Sequence, residues 1–263
     1  MSVATGRIRT EVSDGVGWLV YDNPSKRNAV NRAMLEQLPI AIDELVADDA
    51  VRVVVVRGEG EAAFTAGADI SELGNRTSDA PPDPARHDEG FGTRELREIP
   101  KPVIAMVHGF CMGGGLMVAM AADIRLASDA AVFCVPTARL GVVYPRSAIE
   151  RLNQLVGPAH ASDLLFSART IDAAEASRMG LVNRVVPKAE LEGETLRYAA
   201  QIAAGAPLTL RASKLAMQQV LQPPDARDDA AWAAAMQACM TSDDFAEGRR
   251  AFAERRPPRF TGH

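Results

Sequence analysis

Pro102-Val103-Ile104-Ala105-Met106-Val107 runs through His108 into Gly109-Phe110-Cys111-Met112-Gly113-Gly114-Gly115, and a helical stretch opens near Leu116. A β-branched run that ends in glycines and passes at once into a helix is the unit of a layered βα fold. The rest of the chain repeats the theme. Val51-Arg52-Val53-Val54-Val55-Val56-Arg57, ended by Gly58, reads as a buried parallel strand. Val16-Gly17-Trp18-Leu19-Val20-Tyr21 reads as another, closed by Asp22-Asn23-Pro24. Asn31 is placed to cap a helix from Arg32, whose Leu35, Leu38, Ile42 and Leu45 make an apolar stripe of helical period. Residues 124–127 and 131–135 read as shorter strands. The spacing predicts an α/β fold.

From Ser147 onward the pattern is helical, over 148–156, 159–165, 173–179, 188–203, 208–221 and 228–255. The last two stretches form a helical extension that docks on the core or on a neighbouring subunit. Between Glu72 and Arg94 the periodicity fails. Thr77-Ser78-Asp79-Ala80-Pro81-Pro82-Asp83-Pro84 admits neither a regular helix nor a central strand, so this stretch reads as a flap over a site or as a tolerated surface insertion.

Composition narrows the function classes. Among 263 residues, 47% are apolar and 24% charged, with a net charge of −5, so the chain lacks the basic excess of a nucleic-acid binder. Arg249, Arg250, Arg255, Arg256 and Arg259 form a local basic run, which reads first as a solvated face. Cys111, Cys134 and Cys239 are odd in number and widely spaced, with no CxxC or HExxH pattern, which argues against structural zinc and a disulfide framework. No basic segment followed by an apolar run opens the chain, and the apolar stretch around 109–122 is broken by glycines, too short to span a bilayer. The expectation is a cytoplasmic enzyme or binding protein with no membrane and no nucleic-acid partner.

Two glycine clusters carry the chemistry. Ala66-Gly67-Ala68-Asp69 allows a sharp turn and close backbone approach. Gly113-Gly114-Gly115 precedes a helix, so free N–H groups face outward with the positive end of the helix dipole behind them. If the Ala68 and Gly114 amides converge, they can hold a carbonyl oxygen as it gains negative charge. Neither cluster is a Walker A or GxGxxG motif. Alone, each also reads as a structural turn.

Taken together, several segments resemble the crotonase superfamily, that of enoyl-CoA hydratases and isomerases, over essentially the full chain. They include Asn28-Ala29-Val30-Asn31, Ala63-Phe64-Thr65-Ala66-Gly67-Ala68-Asp69-Ile70, Lys101-Pro102-Val103-Ile104-Ala105-Met106-Val107-His108-Gly109 and Gly113-Gly114-Gly115. Ala122-Asp123-Ile124-Arg125, Leu140-Gly141-Val142 and Phe252-Ala253-Glu254-Arg255-Arg256 add to the match. The resemblance implies a ββα spiral core over 1–200 and a C-terminal helical trimerisation region over 201–263. It implies a homotrimer, or a hexamer built as a dimer of trimers. It implies an acyl-CoA thioester as substrate, with coenzyme A as part of that substrate and no separate cofactor or metal. Ala68 and Gly114 would form the oxyanion hole. Lys26, Asn28, Ala66, Asp69 and Ile70 would line the path of pantetheine and adenine, and Phe252 and Arg255 would hold the adenosine-phosphate end across a subunit boundary. A guanidinium suits a phosphate, although a surface helix charge explains Arg255 as well.

One departure stands out. The resemblance puts acid/base glutamates at the positions of Met117 and Thr137, and an alternative isomerase carboxylate at Pro145. None of these side chains transfers protons near pH 7. Tyr144 matches a tyrosine that hydrogen-bonds the substrate carboxylate in a methylmalonyl-CoA decarboxylase-like branch, but that branch carries a histidine where this chain has Ala68. His108 has a suitable pKa, though it also reads as a structural residue at a strand end. Glu72 and Glu89 could swing in from the flap. Three readings follow: an enolate-stabilising hydratase/isomerase with a non-standard proton route, a decarboxylase of a malonyl-type acyl-CoA using Tyr144, or a non-catalytic acyl-CoA-binding protein.

Overall fold

Alternate residues of the Val53–Val56 run face two different apolar layers, and all four are fully buried. Val53 and Val55 pack with Ile104, Met106 and Leu126 on one side. Val54 and Val56 pack with Val103, Ala105 and Phe64 on the other. A strand buried on both faces reads as an uninterrupted β-branched run, which is why the sequence betrays it so clearly.

The computed structural model describes residues 6–69 and 90–263. The chain opens with β1 (Arg7–Ser13), β2 (Val16–Asp22), α1 (Arg32–Ala47), β3 (Val53–Gly58) and β4 (Ala63–Thr65). After the gap come α2 (Thr93–Glu98), β5 (Val103–Val107), β6 (Phe110–Met112), α3 (Gly114–Ala121), β7 (Ile124–Ser128) and β8 (Val132–Cys134). Then follow α4 (Thr137–Leu140), α5 (Arg146–Ser167), β9 (Thr170–Asp172), α6 (Ala173–Arg178) and β10 (Arg184–Val186). Four helices close the chain: α7 (Leu191–Ala203), α8 (Pro207–Val220), α9 (Asp229–Met240) and α10 (Asp243–Glu254).

The strands form two sheets, in the orders β1-β2-β3-β5-β7-β10 and β4-β6-β8-β9. Each of β3, β5 and β7 in the larger sheet is followed by a short strand in the smaller one, so the chain winds as the expected ββα spiral. Pairing is parallel except for β1 with β2 and β8 with β9. α7 contributes Leu191 and Ala199 to one layer. α1 and α3 contribute to the other.

Asn31 caps α1 as expected, its side chain accepting from the Met34 N–H. The helical stretch expected over 228–255 is two helices, not one. Ser242 ends the run, and its Oγ accepts from the Phe245 N–H to start α10, a capping signal that outweighs helical periodicity. α8 docks on its own core: the buried Lys214 ammonium donates to Asp123 Oδ2 at 2.8 Å and to the Lys101 carbonyl at 3.0 Å. By contrast, α9 buries no residue within the chain, and Trp232, Met236 and Met240 form an exposed stripe along it. The flap expected over 72–94 lies mostly outside the described residues, as do Ile70, Glu72 and Glu89. Among the described residues no helix is long and apolar enough to cross a membrane, and no cluster of His, Cys, Asp and Glu could hold a metal ion.

Candidate active site

Two three-residue strands bring the glycine clusters together. β4 and β6 pair in parallel, with Ala63 opposite Phe110 and Thr65 opposite Cys111, so the turns that follow them emerge side by side. The contact is tight. A Cβ added to Gly67 would lie 2.8 Å from the Met112 carbonyl oxygen and 2.9 Å from the Gly114 nitrogen. One at Gly115 would lie 2.2 Å from the Thr65 carbonyl oxygen. Only glycine lets these backbones meet.

The amides themselves follow from the ladder and the helix. Val30 bridges Ala68 in parallel fashion, its N–H donating to the Gly67 carbonyl at 2.7 Å while the Asp69 N–H donates back at 2.9 Å. The middle residue of such a bridge turns its own N–H away from the partner. Gly114 is the first residue of α3, where an N–H has no intrahelical acceptor. Among the described residues neither the Ala68 nor the Gly114 N–H has an acceptor. Two backbone donors on touching turns, one of them at the positive end of a helix, suit an oxygen that gains negative charge.

Buried polar side chains hold the first turn. Asn28, in a left-handed conformation with φ 56°, donates to the Ala63 carbonyl at 2.7 Å and the Glu59 carbonyl at 2.9 Å, and accepts from the Asn23 N–H at 3.0 Å. Thr65 Oγ1 donates to the Asn28 carbonyl at 2.6 Å and accepts from the Gly67 N–H. Ala66 N–H reaches the Arg27 carbonyl. Lys26 Nζ pairs with the buried Asp69 carboxylate at 2.6 Å. Lys26, Asn28, Ala66 and Asp69 thus share one locality with Ala68, and the Asn28 side chain serves as a clamp of the turn.

The second turn is held differently. Gly113 adopts φ 52° and ψ −120°, open only to glycine. Its N–H donates to the Cys134 carbonyl, and its carbonyl accepts from Leu116 and Met117 N–H. That carbonyl also accepts from the Tyr144 hydroxyl at 2.6 Å. Tyr144 therefore reaches the site, but its proton is spent on the backbone instead of standing ready for a substrate carboxylate. Burial raises its pKa well above the ordinary phenol value, with Cys111 and Cys134 adding to the effect, so it stays a donor. The ring of Phe91 lies against Gly114, 2.6 Å from where a Cβ would be, with Phe91 at φ 67°. Nothing in the sequence around Phe91 signals this.

Met117 is buried on α3, a helix with every residue buried. It lines a narrow cleft of about 10 Å³, room for little more than one water, together with Thr93, Met120, Arg97 and Arg151. Thr137 is buried at the start of α4, and Pro145 precedes α5. His108 is buried, and its pKa is pulled below the usual imidazole range by burial and then by Arg57 and Lys188. Its charged neighbours are Arg57, Lys188 and Glu61, not the glycine turns. Phe252 is 88% exposed, and Arg255 caps the end of α10, also exposed. Within one chain the structure does not bring these two to the turns.

The enoyl-CoA hydratase/isomerase family model matches residues 11–263. The chain belongs to the enoyl-CoA hydratase/isomerase family. It is 35% identical over 261 residues to the crotonyl-CoA hydratase of Syntrophomonas wolfei, covering 98% of this chain and 99% of that one. It is 36% identical to the short-chain-enoyl-CoA hydratase of Clostridium acetobutylicum, covering 92% of each. The crystal structure of an enoyl-CoA hydratase/carnithine racemase from Magnetospirillum magneticum superposes with a TM-score of 0.89 at 32% identity, covering 99% of this chain and 97% of that one. The two-sheet spiral is accordingly the crotonase fold of this family.

Proposed function

We propose that this family member binds an acyl-CoA thioester and stabilises its enolate through the Ala68 and Gly114 N–H groups. The observation that carries the proposal is the packing of Gly67 against the Gly114 nitrogen, which places both donors on touching backbones. Each such donor is worth about 3 kcal/mol of transition-state stabilisation. Lys26, Asn28, Ala66, Asp69 and Ile70 would line the coenzyme A path. Phe252 and Arg255, exposed at the end of α10, would meet the adenosine-phosphate end bound to a neighbouring copy. The exposed stripe on α9 supports assembly into trimers or dimers of trimers through residues 201–263.

The proton route is the unusual part of the proposal. With methionine at 117 and threonine at 137, paired carboxylates are not what moves the proton. Hydration or isomerisation would run through another group or through water. A second reading is decarboxylation of a malonyl-type acyl group, supported by the side chains at Met117, Thr137 and Pro145, which carry no carboxylate, and by Arg97 and Arg151, which lie beside Met117. The C–C bond electrons of that acyl group would pass to the enolate as CO2 leaves, and water would then protonate the α-carbon.

Incubation with crotonyl-CoA and with methylmalonyl-CoA separates the readings, followed by loss of enone absorbance and by CO2 release. Turnover of crotonyl-CoA alone supports the hydratase reading, and CO2 release supports decarboxylation. Tight binding of both without turnover would favour an acyl-CoA-binding protein. No calorimetric binding of any acyl-CoA would sink the whole proposal.

A further inference from the structure

The Gly113 carbonyl and the Gly114 N–H belong to one peptide group. In a trans peptide the two bonds point in opposite directions in one plane, and the described residues contain no cis bond. Whatever grips the oxygen therefore aims the N–H. The Tyr144 hydroxyl grips it at 2.6 Å, across a sequence separation of 31 residues. We infer that Tyr144 is a positioning residue for the oxyanion hole, its hydroxyl orienting and polarising the peptide whose N–H receives the thioester oxygen. The inference rests on the oxyanion reading above.

Three features fit this assignment better than plain core packing. First, the hydroxyl is the only side chain among the described residues that bonds this carbonyl, whose other donors, the Leu116 and Met117 N–H groups, belong to the helix itself. Those two set the helix start, whereas Tyr144 approaches from the loop before α5. Second, Gly113 sits at a backbone conformation without intrinsic stability for a side chain and is anchored on its N–H by the Cys134 carbonyl. The turn is thus pinned on both sides of the Gly113 α-carbon. Third, a donor hydrogen bond on a peptide oxygen makes the same peptide's N–H a stronger donor, because chained hydrogen bonds polarise one another by roughly 10–30% per bond. The effect is felt at the substrate oxygen without Tyr144 touching substrate.

Tyr144→Phe keeps the ring and deletes the hydroxyl. Turnover on whichever acyl-CoA the enzyme consumes should fall about tenfold in kcat, with KM within about twofold, since the donor is weakened but not removed. The decisive readout is the thioester carbonyl stretch of butyryl-CoA, carbon-13 labelled at that carbonyl, bound to full-length protein. In the native protein the stretch should drop below its value in solution, and in Tyr144→Phe the drop should shrink by a clear fraction. A merely structural tyrosine would lower the melting temperature and leave the bound frequency alone. Replacement of Tyr144 by 3-fluorotyrosine, a stronger donor of nearly the same shape, should deepen the drop and gives an answer even where the phenylalanine variant folds poorly. A native drop that neither substitution changes overturns the role of Tyr144 and leaves the oxyanion hole standing. Absence of any drop in the native protein overturns both.

Discussion

The two turns that meet at the candidate site are held by different means. The turn at 66–68 is built from backbone and short polar side chains: a bridge to Val30, the Thr65 hydroxyl and the three hydrogen bonds of Asn28. The turn at Gly113–Gly115 has no polar side chain of its own and relies on its helix, on Cys134 and on a distant tyrosine. Both halves are secured across the sequence, the first by several bonds to a segment 35 and 37 residues back and the second by a single side-chain hydroxyl 31 residues on. An oxyanion site can thus draw one donor from a multiply clamped loop and the other from a loop whose side-chain support is one hydroxyl.

The comparison breaks most severely where the halves touch. Gly67→Ala forces a methyl to 2.8 Å from the Met112 oxygen in a backbone with φ 92°. Separating the turns should cost turnover about 100-fold or more, as loss of one donor does, in steady-state assays on the folded fraction. Asn28→Ala tests the multiply clamped half. Leaving the Ala63 and Glu59 carbonyls and the Asn23 N–H without a partner should cost about 2–4 kcal/mol of stability by chemical denaturation. Asn28→Gly should lose slightly less, because the left-handed backbone suits glycine.

Gly114→Ala probes the half held by one hydroxyl, where the new methyl would meet the Phe91 ring. Overpacking of this kind costs about 1–3 kcal/mol, and Phe91→Ala in the same chain should recover most of it. A double-mutant cycle with no coupling would show that Phe91 does not press on the turn. The smallest effect lies away from both turns. Glu247 accepts from Arg256 and Arg250 side chains and from the Arg259 N–H, which hold its carboxyl far below the usual carboxylate range. Its contribution is fully present above the unfolded-state carboxylate pKa near 4.5 and is lost as pH falls through the lower folded value. The melting temperature of the native chain should therefore drop more steeply below about pH 4.5 than that of Glu247→Gln.

Sequence and structure agree where the signal is local. The Val53–Val56 run, Asn31 as a cap and the glycine run that opens α3 could each be read from neighbours a few residues away. β4 and β6 could not, because three residues flanked by glycine and alanine carry no period. Yet their pairing is what brings 67 beside 114, so local pattern marked two turns and only the family resemblance joined them as one place. Tyr144 stood out as a chemical oddity, but its partner lies 31 residues back and is a carbonyl, which no side-chain pattern encodes. Asn28 was legible as part of a family motif and not as a clamp, since that role depends on the carbonyls of Glu59 and Ala63.

Every residue of α3 is buried, and this constrains how the chain's chemistry can be rewritten. A carboxylate introduced at Met117 would enter a buried helix beside a narrow cleft, and burial would raise its pKa. Arg97 and Arg151, already on the same cleft, would pull it back toward ionisation. The position is thus a tunable acid whose set point is written in two arginines on other helices. Anyone refitting this pocket for proton transfer must adjust α2 and α5 together with α3.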